Sequence, residues 1–300
     1  MKILSILFLV VIVAGCNNST KPVEKQETAV SGTINISVDE SFQPVISEQL
    51  KVFLSSYPKA NIKANYKSEA DCLRDLQSDS TRLVIISRGL NDEELGYYRS
   101  KLEFKPLYDL LAYDAIAVIV NRSNTDSSFT LADLKDMLSG KRNANVVVDG
   151  KNATSTVRYL IDSVLRGTPL GKNVTAAYNS EDVVKYVANN AGSVGFVGVS
   201  WLSETDDPQK AAIISKVRMA LIECQDCEEG LYARPSQETI MQGQYPLVRG
   251  LHYILKENWS GLGTGFINFM TIERGQLIFR RSYLVPGKMQ FKRRKTRIPA

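Results

Sequence analysis

Four short segments of this 300-residue chain carry side chains that suit a tetrahedral oxyanion. They are Asp39-Glu40-Ser41-Phe42, Tyr66-Lys67-Ser68, Ser87-Arg88 and Thr154-Ser155-Thr156. Each follows a strand-like stretch and precedes a helix-like one. Each therefore presents backbone N–H groups at a helix N-terminus, with hydroxyls beside them. Arg88 adds the capacity for charge-assisted bonds of roughly 1.5–3 kcal/mol each. Serine and threonine are also routine helix caps, so the weight lies in the recurrence of the pattern, not in any one turn. Lys67 and Lys151 read as solvated surface charges.

Other chemistries lack their parts. With a single histidine, His252, the chain cannot assemble a Ser-His-Asp triad or a multi-histidine zinc site. His252 lies in Leu251-His-Tyr-Ile-Leu255 and reads as a structural strand residue. No GxxxxGK[ST] is present, and Gly261-Leu-Gly263-Thr-Gly265 lacks dinucleotide spacing and reads as a turn. Among 32 acidic residues, neighbours such as Glu93-Glu94 and Glu228-Glu229 arise by chance. Tyr108, Tyr113, Tyr245 and Tyr253 read as core or cleft-lining residues. The expectation is a binding protein without a cofactor or metal, not an enzyme. Cys224-Gln-Asp-Cys227 has neither a second CxxC nor a nearby histidine, leaving a local disulfide or two unpaired thiols. Cys72 falls beside Leu73 and Leu76 at helical spacing, as a buried small hydrophobe would.

The elements that position the turns follow from periodicity. Strands are expected over 33–38, 61–66, 82–87 and 114–120, with helices from 41 to about 57, over 70–77 and over 92–100. A second set follows: helix 131–138, strand 145–148, helix 155–165, strand 174–178, helix 182–188 and strand 194–199. Residues 211–222 read as further strand, 251–255 as strand, and 265–270 and 273–280 as helix. Strands alternating with helices of this length argue for an α/β fold with helices on both faces of the sheet. Two such units, parting near 115 and rejoining near 235, form two lobes with a cleft between them. In that division lobe I is 32–115 with 235–287, and lobe II is 116–234. In an open α/β sheet, ligands bind beyond the strand C-termini, which is where the four turns fall.

The N-terminus sets the compartment. Lys2 precedes an apolar run over 3–14, roughly 18 Å as a helix and too short for a bilayer core of about 30 Å. It reads as a signal peptide, residues 1–15, ending in Val13-Ala14-Gly15-Cys16, which resembles the lipobox of bacterial lipoproteins. Cys16 is then the lipidated residue, and 16–31 a flexible tether from membrane to domain. The net charge of +5 is concentrated in the 288–300 tail, where Lys288, Lys292, Arg293, Arg294, Lys295 and Arg297 leave the remainder at −1. That remainder has no nucleic-acid footprint. The tail reads as a solvated extension, or as a contact with anionic lipid heads near the anchor.

Several segments together look familiar: 83–90 (LVIISRGL), 149–159 (DGKNATSTVRY), 179–202 (NSEDVVKYVANNAGSVGFVGVSWL), 245–249 (YPLVR) and 265–286 with its Glu273-Arg-Gly-Gln276. In this order they resemble the phosphate-binding lipoproteins of phosphate ABC transporters, within the periplasmic binding proteins. The resemblance implies a type II two-lobed fold, each lobe a mixed sheet flanked by helices. It also implies capture of inorganic phosphate or a similar oxyanion by lobe closure, and delivery to an ABC permease by a lipid-anchored, exported monomer. Ser41 and Phe42 match the first phosphate loop, Ser87 the serine after the third strand, and Thr154 to Thr156 the Ser-Gly-Thr turn of the second lobe. With Asp39, Ser68 and Arg88 these form the expected ligand contacts. The chain departs from the family where Glu69 follows Ser68, where Arg88 replaces an aspartate, and where Ser155 replaces a glycine. Monohydrogen phosphate needs an acceptor for its proton, for which Asp39, Glu40 and Asp149 are the candidates. The alternative is a sensor or surface lipoprotein on the same scaffold with a degenerate or different-ligand cleft.

Overall fold

The computed structural model describes residues 27–150 and 154–289. The signal segment, Cys16, most of the tether, Lys151 and the tail beyond 289 lie outside the described residues. The chain begins with β1 (Gly32–Asp39), a short 3-10 turn over Glu40–Phe42, and α1 (Gln43–Ser56). Pro44 sits in the first turn of α1, where its missing N–H costs nothing. Next come β2 (Ala60–Lys67), α2 (Glu69–Leu76), β3 (Thr81–Ile86) and α3 (Asp92–Leu102). Asn91 and Glu94 close a capping box on α3. A 15-residue strand, β4 (Leu107–Asn121), then runs through the middle of the molecule.

Beyond it lie β5 (Ser128–Phe129), α4 (Leu131–Ser139), β6 (Asn145–Asp149), α5 (Ser155–Tyr159), β7 (Val174–Ala177), α6 (Ser180–Asn189) and β8 (Ser193–Gly198). The next stretch holds α7 (Pro208–Ile214), β9 (Val217–Met219), β10 (Leu221–Glu223), β11 (Tyr232–Ala233) and α8 (Gln237–Met241). The chain returns through β12 (Val248–Leu255), α9 (Leu262–Thr271), α10 (Glu273–Arg281) and β13 (Val285–Pro286).

Two sequence expectations are corrected here. The 211–222 run opens as helix: Asp207 caps α7 through the backbone N–H groups of Gln209 and Lys210, and strand resumes only at Val217. The glycine-rich 261–265 segment is not a turn but the start of α9, with Gly261 as its cap. Glu257 accepts the Gly263 and Thr264 backbone N–H groups, satisfying donors that a helix start leaves open.

Among the described residues ten strands join one sheet whose main path is β2-β1-β3-β12-β4-β8-β6-β7. β1, β2 and β3 are mutually parallel, and so are β8, β6 and β7. β4 is shared between the two groups, pairing antiparallel with β12 along 107–115 and with β8 along 116–120. Both faces of each half are covered. In the first half one cluster forms around Phe42, Phe53, Phe266 and Phe279, and another around Cys72, Leu76, Ile86 and Tyr98. In the second, Val118 and Val120 pack on one face of β4 while Ala117 and Ile119 pack on the other. That two-sided burial is why the 114–120 run is apolar throughout rather than alternating.

Candidate functional site

Strands β1 and β6, one from each parallel group, end on carboxylates, Asp39 and Asp149, and β3 leads directly into Ser87. All three residues are buried. The 3-10 turn after β1 exists because Asp39 Oδ1 accepts both the backbone N–H and the hydroxyl of Ser41, at 3.0 and 2.8 Å. That bond fixes Ser41 Oγ 2.9 Å from Ser155 Oγ in the other half of the molecule. Ser155 opens α5, which Thr154 caps through the Val157 N–H.

Between these loops lies the one fully engulfed guanidinium among the described residues. Arg249, near the start of β12, is 5 % exposed and faces Asp114 on the paired strand β4. Its Nε donates to Asp114 Oδ2 at 2.9 Å, and its Nη1 donates to Ser155 Oγ at 2.8 Å and to Thr156 Oγ1 at 3.4 Å. The guanidinium stacks 4.7 Å from the Phe42 ring centroid, a cation–π contact strengthened by exclusion of water. Because Ser41 donates to Asp39 and Ser155 accepts from Arg249, the remaining hydrogen must run from Ser155 to Ser41. The result is one directed chain, Arg249 to Ser155 to Ser41 to Asp39. Arg249 Nη2, Asp39 Oδ2 and Asp114 Oδ1 are buried with no partner among the described residues. Buried polar atoms are normally paired, so unpartnered donors and acceptors converging here point to a ligand position. Gly198 closes the far side: a Cβ there would lie 3.0 Å from Ser41 O and 3.2 Å from Arg249 Nη2.

A second layer surrounds Asp149. Its Oδ2 accepts from Thr156 Oγ1 at 3.0 Å and from Ser180 Oγ at 3.1 Å, and its Oδ1 accepts from Thr154 Oγ1 at 3.1 Å. Ser180 also reaches Glu40, donating its N–H at 3.0 Å and lying 2.9 Å away through Oγ. Burial, then the nearby Asp39, pushes Asp149 up to about 7. Burial, then Asp149, pushes Glu40 up to about 7 as well. Asp39 and Asp114 are also raised by burial, with Arg249 opposing the shift in both.

The third layer is an ion pair between the halves. Arg158 of α5 donates to Glu69 of α2 at 2.6 Å and to Ser87 Oγ at 2.8 Å, while Ser87 gives both its N–H and its hydroxyl to Glu69. Burial works against an ionised Glu69, but the bonds from Arg158 and Ser87 together outweigh it and hold the carboxyl below its ordinary range.

The 23–274 segment matches the family model described as the PBP superfamily domain. The chain belongs to the PBP superfamily. Two curated relatives in it are the phosphate-binding proteins PstS of Pseudomonas aeruginosa, 21 % identical over 88 % of this chain and 86 % of the relative, and of Bacillus subtilis, 22 % identical over 87 % and 85 %. Among solved structures, a Clostridium perfringens protein with bound phosphate, described as a phosphate ABC transporter substrate-binding protein, superposes with a TM-score of 0.70. It is 22 % identical and covers 85 % of this chain and 99 % of its own. An ABC-type phosphate transport receptor from Vibrio cholerae superposes at 0.61 with 16 % identity, covering 85 % of this chain and 100 % of its own. At these identities the likeness shows the fold: the type II two-lobed arrangement of mixed sheets flanked by helices.

On this PBP scaffold the residues singled out from sequence divide into groups. Asp39, Ser41, Phe42, Ser155 and Thr156 meet at Arg249, with Thr154 one step away on Asp149. Ser87 joins the Glu69–Arg158 pair. Ser68 caps α2 through the Asp71 N–H and bonds the Asp71 carboxylate. Arg88 does not turn to the cluster: its two terminal nitrogens bond Glu94 at 2.7 Å each, which raises the guanidinium's own affinity for its proton. Arg249, Asp114, Arg158 and Ser180 were not singled out for chemistry. One signal was present: an arginine within Leu247-Val-Arg-Gly-Leu251 and an aspartate heading an apolar strand must each find a partner once buried. Cys224 and Cys227 form a disulfide with Cα atoms 5.6 Å apart, and Cys72 is free and buried.

Proposed function

We propose that this chain is a solute-binding protein that captures inorganic phosphate, or a closely related oxyanion, between its lobes and hands it to an ABC permease. The supporting observation is the unpartnered Nη2 of the buried Arg249, set among the hydroxyls of Ser41, Ser155 and Thr156, which come from both sides of the cleft. Asp39 Oδ2 beside it is a free acceptor for a ligand O–H. A protonated oxyanion offers both an anionic oxygen for the arginine and a hydroxyl for the carboxylate. Sulfate at neutral pH offers no hydroxyl. The phosphate-binding relatives, and the bound phosphate and transporter description of the Clostridium perfringens structure, support the same reading. Closure of lobe I (32–115 and 235–287) on lobe II (116–234) binds the anion without covalent chemistry. The lipid at Cys16 then holds the exported monomer beside the permease.

Titration calorimetry of the full chain in detergent, stripped of endogenous ligand, tests this reading with phosphate and then sulfate. Tight phosphate binding with sulfate excluded is the expected result; no heat with either anion overturns it. The second reading, a sensor on the same scaffold, draws on the crowding of Asp39, Asp114 and Asp149 around one arginine, with Glu40 beside Asp149. Binding of an uncharged or cationic solute in place of phosphate favours it.

A further inference from the structure

Ser180 has two acidic neighbours within hydrogen-bond distance of one hydroxyl. Its hydroxyl oxygen lies 2.9 Å from Glu40 Oε2 and 3.1 Å from Asp149 Oδ2. A hydroxyl has one hydrogen to give, and an ionised carboxylate has none. Either that one hydrogen is split between two anions in a weaker three-centre bond, or one carboxyl keeps its proton and donates it to Ser180 Oγ, which gives both contacts a full hydrogen. The other donors cannot relieve this. The Ser180 N–H goes to Glu40 Oε1, and the Thr156 hydroxyl already goes to Asp149 Oδ2.

We propose that Glu40 and Asp149 share one proton through Ser180, and that this proton couples anion capture in the cleft to pH. The pair spans the cleft, with Glu40 in the turn after β1 and Asp149 and Ser180 at the ends of β6 and α6. When the proton is lost, one bond between the lobes is lost with it, and two carboxylates face each other across a hydroxyl close to where the anion must lie. When an anion enters, it makes ionisation of the pair costlier, so binding takes up a proton. The charged groups facing the pair among the described residues are Asp39 from β1 and Arg249 from β12, the latter held by Asp114 of β4. Glu181 and Asp182 of α6 point to Lys185, with Lys210 also on Glu181, and Glu69 is neutralised by Arg158. Among the described residues Arg249 is the cation facing the pair, and its charge is shared with Asp114 and Asp39. The upward shifts of both carboxyls to about 7 agree with this count.

The inference rests on the anion-binding reading, and the test separates the two. Phosphate is titrated into the full wild-type chain and into Glu40→Gln at pH 5.5, 7.0 and 8.5, each in two buffers of different ionisation enthalpy. The glutamine amide is a permanent donor to Ser180, so the variant mimics the protonated pair. Above pH 7 the wild type should lose affinity relative to the variant by about tenfold per pH unit, the slope for one linked proton. It should also take up close to one more proton on binding. Because both proteins meet the same phosphate, the ligand's own ionisation cancels in the comparison. Parallel pH profiles and equal proton uptake overturn the shared proton and leave phosphate binding standing. Absence of phosphate binding to the wild type at all three pH values overturns both. If Glu40→Gln does not fold, infrared spectra of the wild type decide: a protonated-carboxyl band at pH 5.5 that is lost by pH 8.5 and strengthens with phosphate at pH 7.0 supports the proposal, and no such band overturns it.

Discussion

Arg249 shows how a buried charge is held in readiness. Its guanidinium is matched by Asp114 through one nitrogen and by hydroxyls through another, leaving Nη2 without a partner. Removing one member of a buried pair leaves the other uncompensated, which typically lowers stability by about 3–5 kcal/mol. Asp114→Ala is therefore expected to lower the urea-unfolding free energy by roughly that amount; a change of less than about 1 kcal/mol would mean water reaches the arginine. Ser155 is different, since its hydroxyl links the lobes but carries no charge. Neither Arg249 nor Arg158 was legible as a site residue because their partners are remote in sequence. Arg249 meets Ser155 across 94 positions, and Arg158 meets Glu69 across 89. Three of the four hydroxyl turns were legible because each is local, with the cap and the bonded N–H lying within three residues, whereas Ser87 bonds Glu69 across 18 positions.

At the scale of elements, the sheet and most helices could be read from periodicity, and the two misread segments explain themselves physically. Residues 211–214 are Ala-Ala-Ile-Ile, whose isoleucines favour strand, but the Asp207 cap and Pro208 at the first helical position override them. In α9, Gly261, Gly263 and Gly265 look like breakers, yet the glycines are there for close approach. A Cβ on Gly265 would sit 1.7 Å from the carbonyl oxygen of Ala29, and one on Gly263 would sit 2.7 Å from Glu257 Oε1. The N-terminal 28–31 segment lies against this helix and cannot be displaced by a rotamer change alone. Gly265→Ala should accordingly cost more than the usual 1–3 kcal/mol of overpacking, or detach that segment. Limited proteolysis near Ala29 together with thermal unfolding distinguishes these outcomes; a variant as stable and as resistant as wild type would contradict the close packing.

Across the whole molecule, the raised carboxyls make the empty protein's stability depend on pH in an unusual direction. Glu40 and Asp149 ordinarily titrate at 4.5 and 3.8, but in the fold both titrate at about 7. Between those limits the folded state binds protons that the unfolded state has released, so stability must fall as pH rises. Each full proton contributes a slope of about 1.4 kcal/mol per pH unit. Carboxylates held low by partners, such as Glu69, Glu94 and Asp133, act oppositely, but that gain is complete once pH exceeds the ordinary carboxylate range. His252 also acts oppositely, because burial disfavours its cation and the unfolded chain takes up its proton near 6.5. The proton held by the pair, with Asp39 and Asp114 raised on the same side, still outweighs the one imidazole and leaves a net fall between pH 5 and 7. The midpoint of thermal unfolding without ligand should therefore be lower at pH 7.5 than at pH 5.5, and Asp149→Asn should flatten the curve. Coincident curves for the two proteins would mean that the cleft carboxyls stay hydrated and ordinary. A falling curve in the wild type alone means that the folded cleft holds protons which its carboxyls release in the unfolded chain. That matches the role of a cleft that must close on its solute and release it again.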